Sequence, residues 1–227
     1  MMNAREKMLG RLRAAAPTPA SQDTAALDRR IALHYAGERP AAAARIDALE
    51  AALRASRAEV WRASAEEWPA QVAHRLAVHG AGRVLLDTAS AEGAALAAAL
   101  PDGISSIRFQ GPLEEWKREL FDSVDAGFTV ARSGIAATGT LILAPDAGTP
   151  RTVSLVPPLH IALVYADTLH ATMYDAAQAE RWSDGMPANL VLASGPSKTS
   201  DIQQTLAFGA HGPRWMWVVI VTEGERP

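Results

Sequence analysis

Residues 194 to 204, Ser-Gly-Pro-Ser-Lys-Thr-Ser-Asp-Ile-Gln-Gln, are the stretch whose residue types and spacing most directly imply chemistry. They follow an apolar run, Asn189 to Ala193, of a length that suits a buried strand. Beyond them Ile202 and Leu206 stand four apart, and Ser200 and Gln203 have capping-box spacing, which predicts a helix starting at Ser200 or Asp201. A loop between a strand and a helix N-terminus offers unpaired N–H groups and the positive end of a dipole, and Lys198 adds a full charge. That chemistry is anion binding. The same spacing also fits a well-capped turn with a solvated lysine. A P-loop is excluded, because Leu192 and Ser197 occupy the positions of its two glycines. Asp201 would compete with an anion for the same N–H groups and reads better as a partner for a ligand hydroxyl.

Two further segments carry reactive types. In Gly134 to Leu143, Thr138-Gly139-Thr140 sets two hydroxyls and a close-approach backbone at the mouth of an apolar strand. Gly209-Ala-His-Gly-Pro213 is a glycine-rich turn holding His211, a side chain able to exchange a proton near neutral pH. Each segment alone also fits a purely structural turn. His74 and His79 are five apart, which misses the one-face spacing of a metal pair, and no metal site is expected. His160, at a strand start, reads as a loop anchor; Arg151, just before an expected strand, reads as solvated.

The elements that must position these residues follow from periodicity. Residues 3 to 15 and 41 to 55 read as helices joined by a polar linker to about Asp28, together a helical N-terminal arm over residues 1–55. From residue 56 to 222 strands and helices alternate. Strands are expected at 59–62, 83–87 and 104–109, and helices from Pro69 to Gly80, from Ser90 to Leu100 and from Leu113 to Phe121. Near-continuous apolar strands between helices of this length imply a mostly parallel sheet. Four runs without intervening helices, 128–131, 140–144, 152–156 and 160–165, predict an antiparallel section inserted in that sheet. A helix over 167–182, a strand at 188–193 and a last strand at 215–222 complete an α/β fold. Gly80-Ala-Gly82 precedes its strand, the reverse of a dinucleotide fingerprint.

Composition narrows the class. The 227 residues include no cysteine, which excludes disulfides, cysteine nucleophiles and any iron–sulfur cluster held by this chain's own thiolates. The net charge of −3 gives no footprint for nucleic acid. The N-terminus lacks a signal-peptide core, and the longest apolar run, 215 to 221, is far below the ~20 residues of a membrane span, so a cytoplasmic location is expected.

Taken in order, Gly-Ile-Ala-x-Thr-Gly-Thr, Ser-Leu-Val-Pro-Pro-x-His-Ile, Ser-Gly-Pro-Ser-Lys-Thr-Ser-Asp-Ile and Gly-x-His-Gly-Pro resemble the LUD-domain family, of the lactate-utilisation protein C (LutC/YkgG) type. The resemblance runs from about residue 56 to 222 and is densest from 134 to 213. It implies a fold like the NagB/RpiA/CoA transferase group and a part in oxidising L-lactate to pyruvate. It also implies that the chain acts as a non-redox subunit beside two cysteine-rich partners that carry the iron–sulfur clusters, with no cofactor of its own. By the matched motifs the ligand pocket is lined by Thr138, Gly139, Thr140, Ser194, Gly195, Ser197, Lys198, Thr199 and Asp201, with His211 and Asp201 as candidates for proton transfer. Such loops are expected to converge at the carboxyl ends of the parallel strands. Where many relatives carry an acidic residue this chain has Ala137, so either that carboxylate is dispensable or Asp201 takes its role. A stand-alone isomerase or acyl-transfer enzyme of the same fold group, and a homo-oligomer, stay open at this point.

Overall fold

A computed structural model of the chain describes residues 4–15, 23–37, 39–109, 111, 113–200 and 206–224. It divides into two units, Met1–Gly37 and Glu38–Pro227. The first holds helices α1 (Ala4–Ala15) and α2 (Thr24–Ala36), neither of which buries a residue. Helix α2 begins within the last residues of the expected linker and continues beyond it to Ala36. Asp23 caps it by accepting a 3.0 Å hydrogen bond from the Ala26 N–H, and its alanines and arginines favour helix without an apolar stripe to announce it.

The second unit includes α3 (Arg45–Ala55), whose Leu49 and Leu53 are buried in its core. In chain order follow β1 (Glu59–Ser64), α4 (Trp68–His79), β2 (Arg83–Leu85), α5 (Ala91–Ala99), β3 (Ser105–Ile107), α6 (Leu113–Asp122), β4 (Ala126–Val130), β5 (Ser133–Ile135) and β6 (Thr140–Leu143). Then come α7 (Thr152–Leu155), β7 (Leu159–Tyr165), β8 (Leu169–His170), α8 (Met173–Ala179), β9 (Val191–Ala193), β10 (Lys198–Ser200), β11 (Leu206–Phe208) and β12 (Trp215–Glu223).

Six strands form one parallel sheet in the order β1-β12-β7-β4-β2-β3. Its central strands are apolar on both faces because both faces are covered. Trp217, Val219 and Val221 of β12 pack with Trp68, Val72 and Leu76 of α4 and Leu96 of α5. The alternate residues Met216, Val218 and Ile220 pack with Leu49 and Leu53 of α3 and with Leu141 and Leu143 of β6. The antiparallel section is not inserted in this sheet, as the sequence reading had it. It is a separate four-stranded sheet, β8-β5-β6-β9, whose outer residues Ile135 and Ile142 meet Ala176 of α8. Two other expectations also change. Residues 152–155 turn once as a helix between Pro150, whose carbonyl accepts the Val153 N–H at 2.9 Å, and the Pro157-Pro158 pair. The helix expected over 167–182 is shortened to α8, which starts at a Thr172–Asp175 capping box after the two-residue strand β8.

His160 lies fully inside the main sheet, sharing a 2.8 Å hydrogen bond between its Nε2 and Thr129 Oγ1 on β4. Burial pushes its pKa from 6.5 down to about 4, so the ring is neutral. The unfolded chain therefore takes up a proton that the folded chain refuses. Stability is whole above pH 6.5, falls as pH drops towards about 4, and loses up to about 3 kcal/mol on this account. Urea midpoints measured from pH 7 to 4 should fall less steeply in His160→Gln than in the natural protein. Leu53→Ala should cost roughly 2–5 kcal/mol in the same assay at pH 7.

Candidate functional site

The two motifs that the sequence sets 54 residues apart are joined by hydroxyls. Antiparallel pairing of β6 with β9 places Leu141 opposite Ala193, which brings Thr140 beside Ser194. Thr138 Oγ1 and Thr140 Oγ1 are 2.7 Å apart, and Thr140 Oγ1 and Ser194 Oγ are 2.8 Å apart. Thr140 is buried between Thr138 and Ser194, which are both exposed, so the chain of three hydroxyls meets solvent at its two ends. Each hydroxyl can donate or accept, so the proton order along it can adapt to a bound group.

The glycines of both motifs serve the approach of α3. Gly139 sits at φ 63, and a Cβ there would lie 2.7 Å from Ala52 Cβ and 2.8 Å from the Leu53 nitrogen. Gly195 sits at φ 154, and its Cβ would lie 2.8 Å from the Ser56 carbonyl oxygen. Any side chain at either position pushes the last turn of α3 off its seat.

Beyond Ser194 the chain forms an antiparallel hairpin in which Lys198 pairs with Phe208. No helix begins at Ser200: residues 198–200 are a strand, and Leu206 opens its partner strand. Ser200 itself therefore supplies no helix N-terminus; the rest of the segment in which the helix is expected, residues 201–205, lies outside the described residues. Asp201, with Ile202 and Gln203, lies outside the described residues. Ser197 ties the hairpin to the glycine-rich turn, its N–H donating to the Pro213 carbonyl at 2.8 Å and its carbonyl accepting from the Gly209 N–H at 3.0 Å. His211 stands exposed within that turn, and strand alternation sends Thr199 to the face opposite Lys198.

Ser194, Gly195 and Lys198 line one cavity of about 400 Å³ together with Ser56, Arg57 and Phe208. Arg57 is a residue the sequence reading missed. It stacks its guanidinium 4.7 Å above the Phe208 ring, so two cations border the same space. The signal was faint: one arginine among several, beside no motif.

The position of this cavity corrects a second expectation. Arg57 lies two residues before β1, and Pro213 two before β12; the Arg214 N–H donates to the Pro158 carbonyl, just before β7, at 2.8 Å. The loops thus gather at the amino ends of the parallel strands, not the carboxyl ends. The carboxyl ends hold a different cavity, of about 150 Å³, lined by Asp87, Glu92, Thr129, Asp146 and Ser154 among others. Glu92 there accepts a 3.1 Å hydrogen bond from the Tyr165 hydroxyl, and Asp87 lies 3.5 Å from Arg108. These residues come from separate elements and form no sequence motif, so nothing short-range marks them. Among the described residues no group of three or more His, Asp or Glu is arranged to hold a metal ion.

The pattern that defines the LUD domain family matches residues 46–221. The chain belongs to the LUD domain family. The match begins at α3, which is consistent with the place of that helix in the main body. A protein of Neisseria meningitidis that carries no functional name is 38% identical over 97% of this chain and 94% of its own length. A lactate utilization protein C of Deinococcus radiodurans is 37% identical over 52% of this chain and 55% of that protein. One of Shouchella clausii is 34% identical over 46% and 47% respectively, so the chain matches about half the length of these two LUD relatives. The crystal structure of a DUF162 family protein from Deinococcus radiodurans superposes with a TM-score of 0.61 at 27% identity, covering 80% of this chain and 99% of that one.

Gly139→Ala should therefore act through α3 and not through the pocket alone. We expect it to lower stability by roughly 1–3 kcal/mol in thermal or urea unfolding, from the left-handed backbone and the steric clash together.

Proposed function

We propose that this chain is a subunit of an L-lactate utilisation system and carries a small-anion pocket of its own. The observation that carries the reading is the pair of cations, Lys198 and Arg57, on one cavity beside the Thr138–Thr140–Ser194 hydroxyl chain. Membership of the LUD domain family and relatives named lactate utilization protein C support the pathway. In this reading the oxidation of lactate to pyruvate takes place with two cysteine-rich partner proteins that hold iron–sulfur clusters. A chain without cysteine would leave that role to them. Lys198 pairs with the anionic group of the ligand, Ser194 and the threonines bonded to it supply neutral hydrogen bonds, and His211, exposed in the neighbouring turn, is the candidate for proton exchange.

The alternative, a stand-alone enzyme acting on sugar phosphates or CoA esters, has less support. Its ligand would occupy the carboxyl ends of the strands by analogy of fold, where Asp87, Glu92 and Asp146 line the cavity and repel phosphate.

Three measurements test the proposal. Deleting the gene should abolish growth on L-lactate, and normal growth would overturn the pathway assignment. Affinity purification at native expression should recover two cysteine-rich proteins. Lys198→Ala should leave the fold intact and weaken binding of small anions by about tenfold in calorimetry, the loss of one charge-assisted contact.

A further inference from the structure

Helix α3 ends in a turn that asks for glycine and has arginine. The Ala58 N–H donates to the Leu53 carbonyl at 3.0 Å and the Arg57 N–H to the Arg54 carbonyl at 2.9 Å, the paired bonds of a Schellman cap. The residue between them must be left-handed, and Arg57 has φ 69. Glycine takes that conformation freely, whereas any residue with a Cβ is strained in it. A helix C-cap by itself gives no reason to carry that strain. The side chain supplies one.

The arginines close to Arg57 are neutralised within the fold. Arg54 pairs with Glu50 at 2.9 Å, and Arg62 with Asp47 at 2.5 Å and Glu50 at 2.7 Å. Among the described residues, no carboxylate lies within ion-pair distance of Arg57 or Lys198. Both instead border the 400 Å³ cavity, whose walls include Leu192, Pro196 and the Phe208 ring. Two cations that face one space, neither paired with a carboxylate among the described residues, repel each other, and a single negative charge satisfies only one of them. The space also exceeds what a six-atom hydroxy acid fills.

We propose that Arg57 is a second charge-recognising residue of this cavity, and that the occupant is a small molecule carrying two anionic groups on a short carbon skeleton, not a monocarboxylate such as lactate. One anionic group meets Lys198 and the other Arg57. The skeleton lies against Phe208 and Leu192, and Ser194 Oγ hydrogen-bonds between the two charges. This rests on the reading of the cavity as a small-anion pocket and adds to it the class of anion.

The test is calorimetric titration of the full chain at pH 7.5 and moderate salt with malonate, 2-phosphoglycolate and L-lactate, the first two separating a second carboxylate from a phosphate. At least one of the two dianions should bind about tenfold or more tighter than lactate. Arg57→Gly should reduce the dianion to the affinity of lactate while the protein unfolds at the same or a higher temperature, because glycine relieves the cap. Arg57→Asn, also tolerant of the left-handed region, should show the same loss. A purely structural arginine would give the stability change without the change in preference. Lactate binding as tightly as both dianions, or a dianion bound equally well by Arg57→Gly, overturns the inference and leaves the anion pocket standing. Binding by none of the three, or dianion binding undiminished in Lys198→Ala, overturns the pocket as well.

Discussion

Helix α3 is held between two sheets by Leu49 and Leu53, both without solvent exposure, and the candidate site exists because that packing is close. The last turn of the helix reaches the Thr138-Gly-Thr140 turn and the Ser194-Gly195 loop only where those loops lack a Cβ. The strands β6 and β9 then fix the two loops to each other through the Leu141–Ala193 register. Hydrophobic burial thus sets the position of polar groups that bury little area themselves. A shift of one residue in that register would turn Thr140 to the other face and break the hydroxyl chain.

Charge is distributed unequally over the two ends of the parallel sheet. The cavity at the amino ends has Arg57 and Lys198 on its walls, while that at the carboxyl ends has Asp87, Glu92 and Asp146. An anion is attracted to one and repelled by the other, over a chain whose net charge is only −3. In an open parallel sheet the carboxyl ends are the usual ligand side. Here a second sheet and α3 cover one face and bring loops to the opposite end, so the rule for a single sheet does not decide where this pocket lies.

Long periodic segments were legible in the chain. The helix from Pro69 to Gly80, the apolar strand before Thr222 and the α/β class follow from patterns that burial enforces residue by residue. Short elements were not. The Thr152–Val156 run has strand-forming residues but is closed into one helical turn by the prolines on either side. Ile202 and Leu206 have helical spacing, yet Leu206 pairs with Ser200 in a hairpin, because a spacing of four in a short segment does not outweigh strand pairing. The site was legible as motifs but not as a surface. Thr138, Thr140, Ser194 and Lys198 stand out by type and neighbours, whereas Arg57 has no local mark except that it occupies a glycine position in a cap.

The sequence by itself determined the residues that give this protein its family, the hydroxyls, the lysine and the two close-approach glycines, since their types and order are local facts. It also determined that no thiolate chemistry resides in this chain. Only the tertiary structure decided that the antiparallel strands form a sheet of their own, that the pocket opens at the amino ends of the main sheet, and that Arg57 faces it beside Lys198. These depend on strand register and on which apolar faces meet, contacts between residues far apart in the chain whose energies no local pattern records.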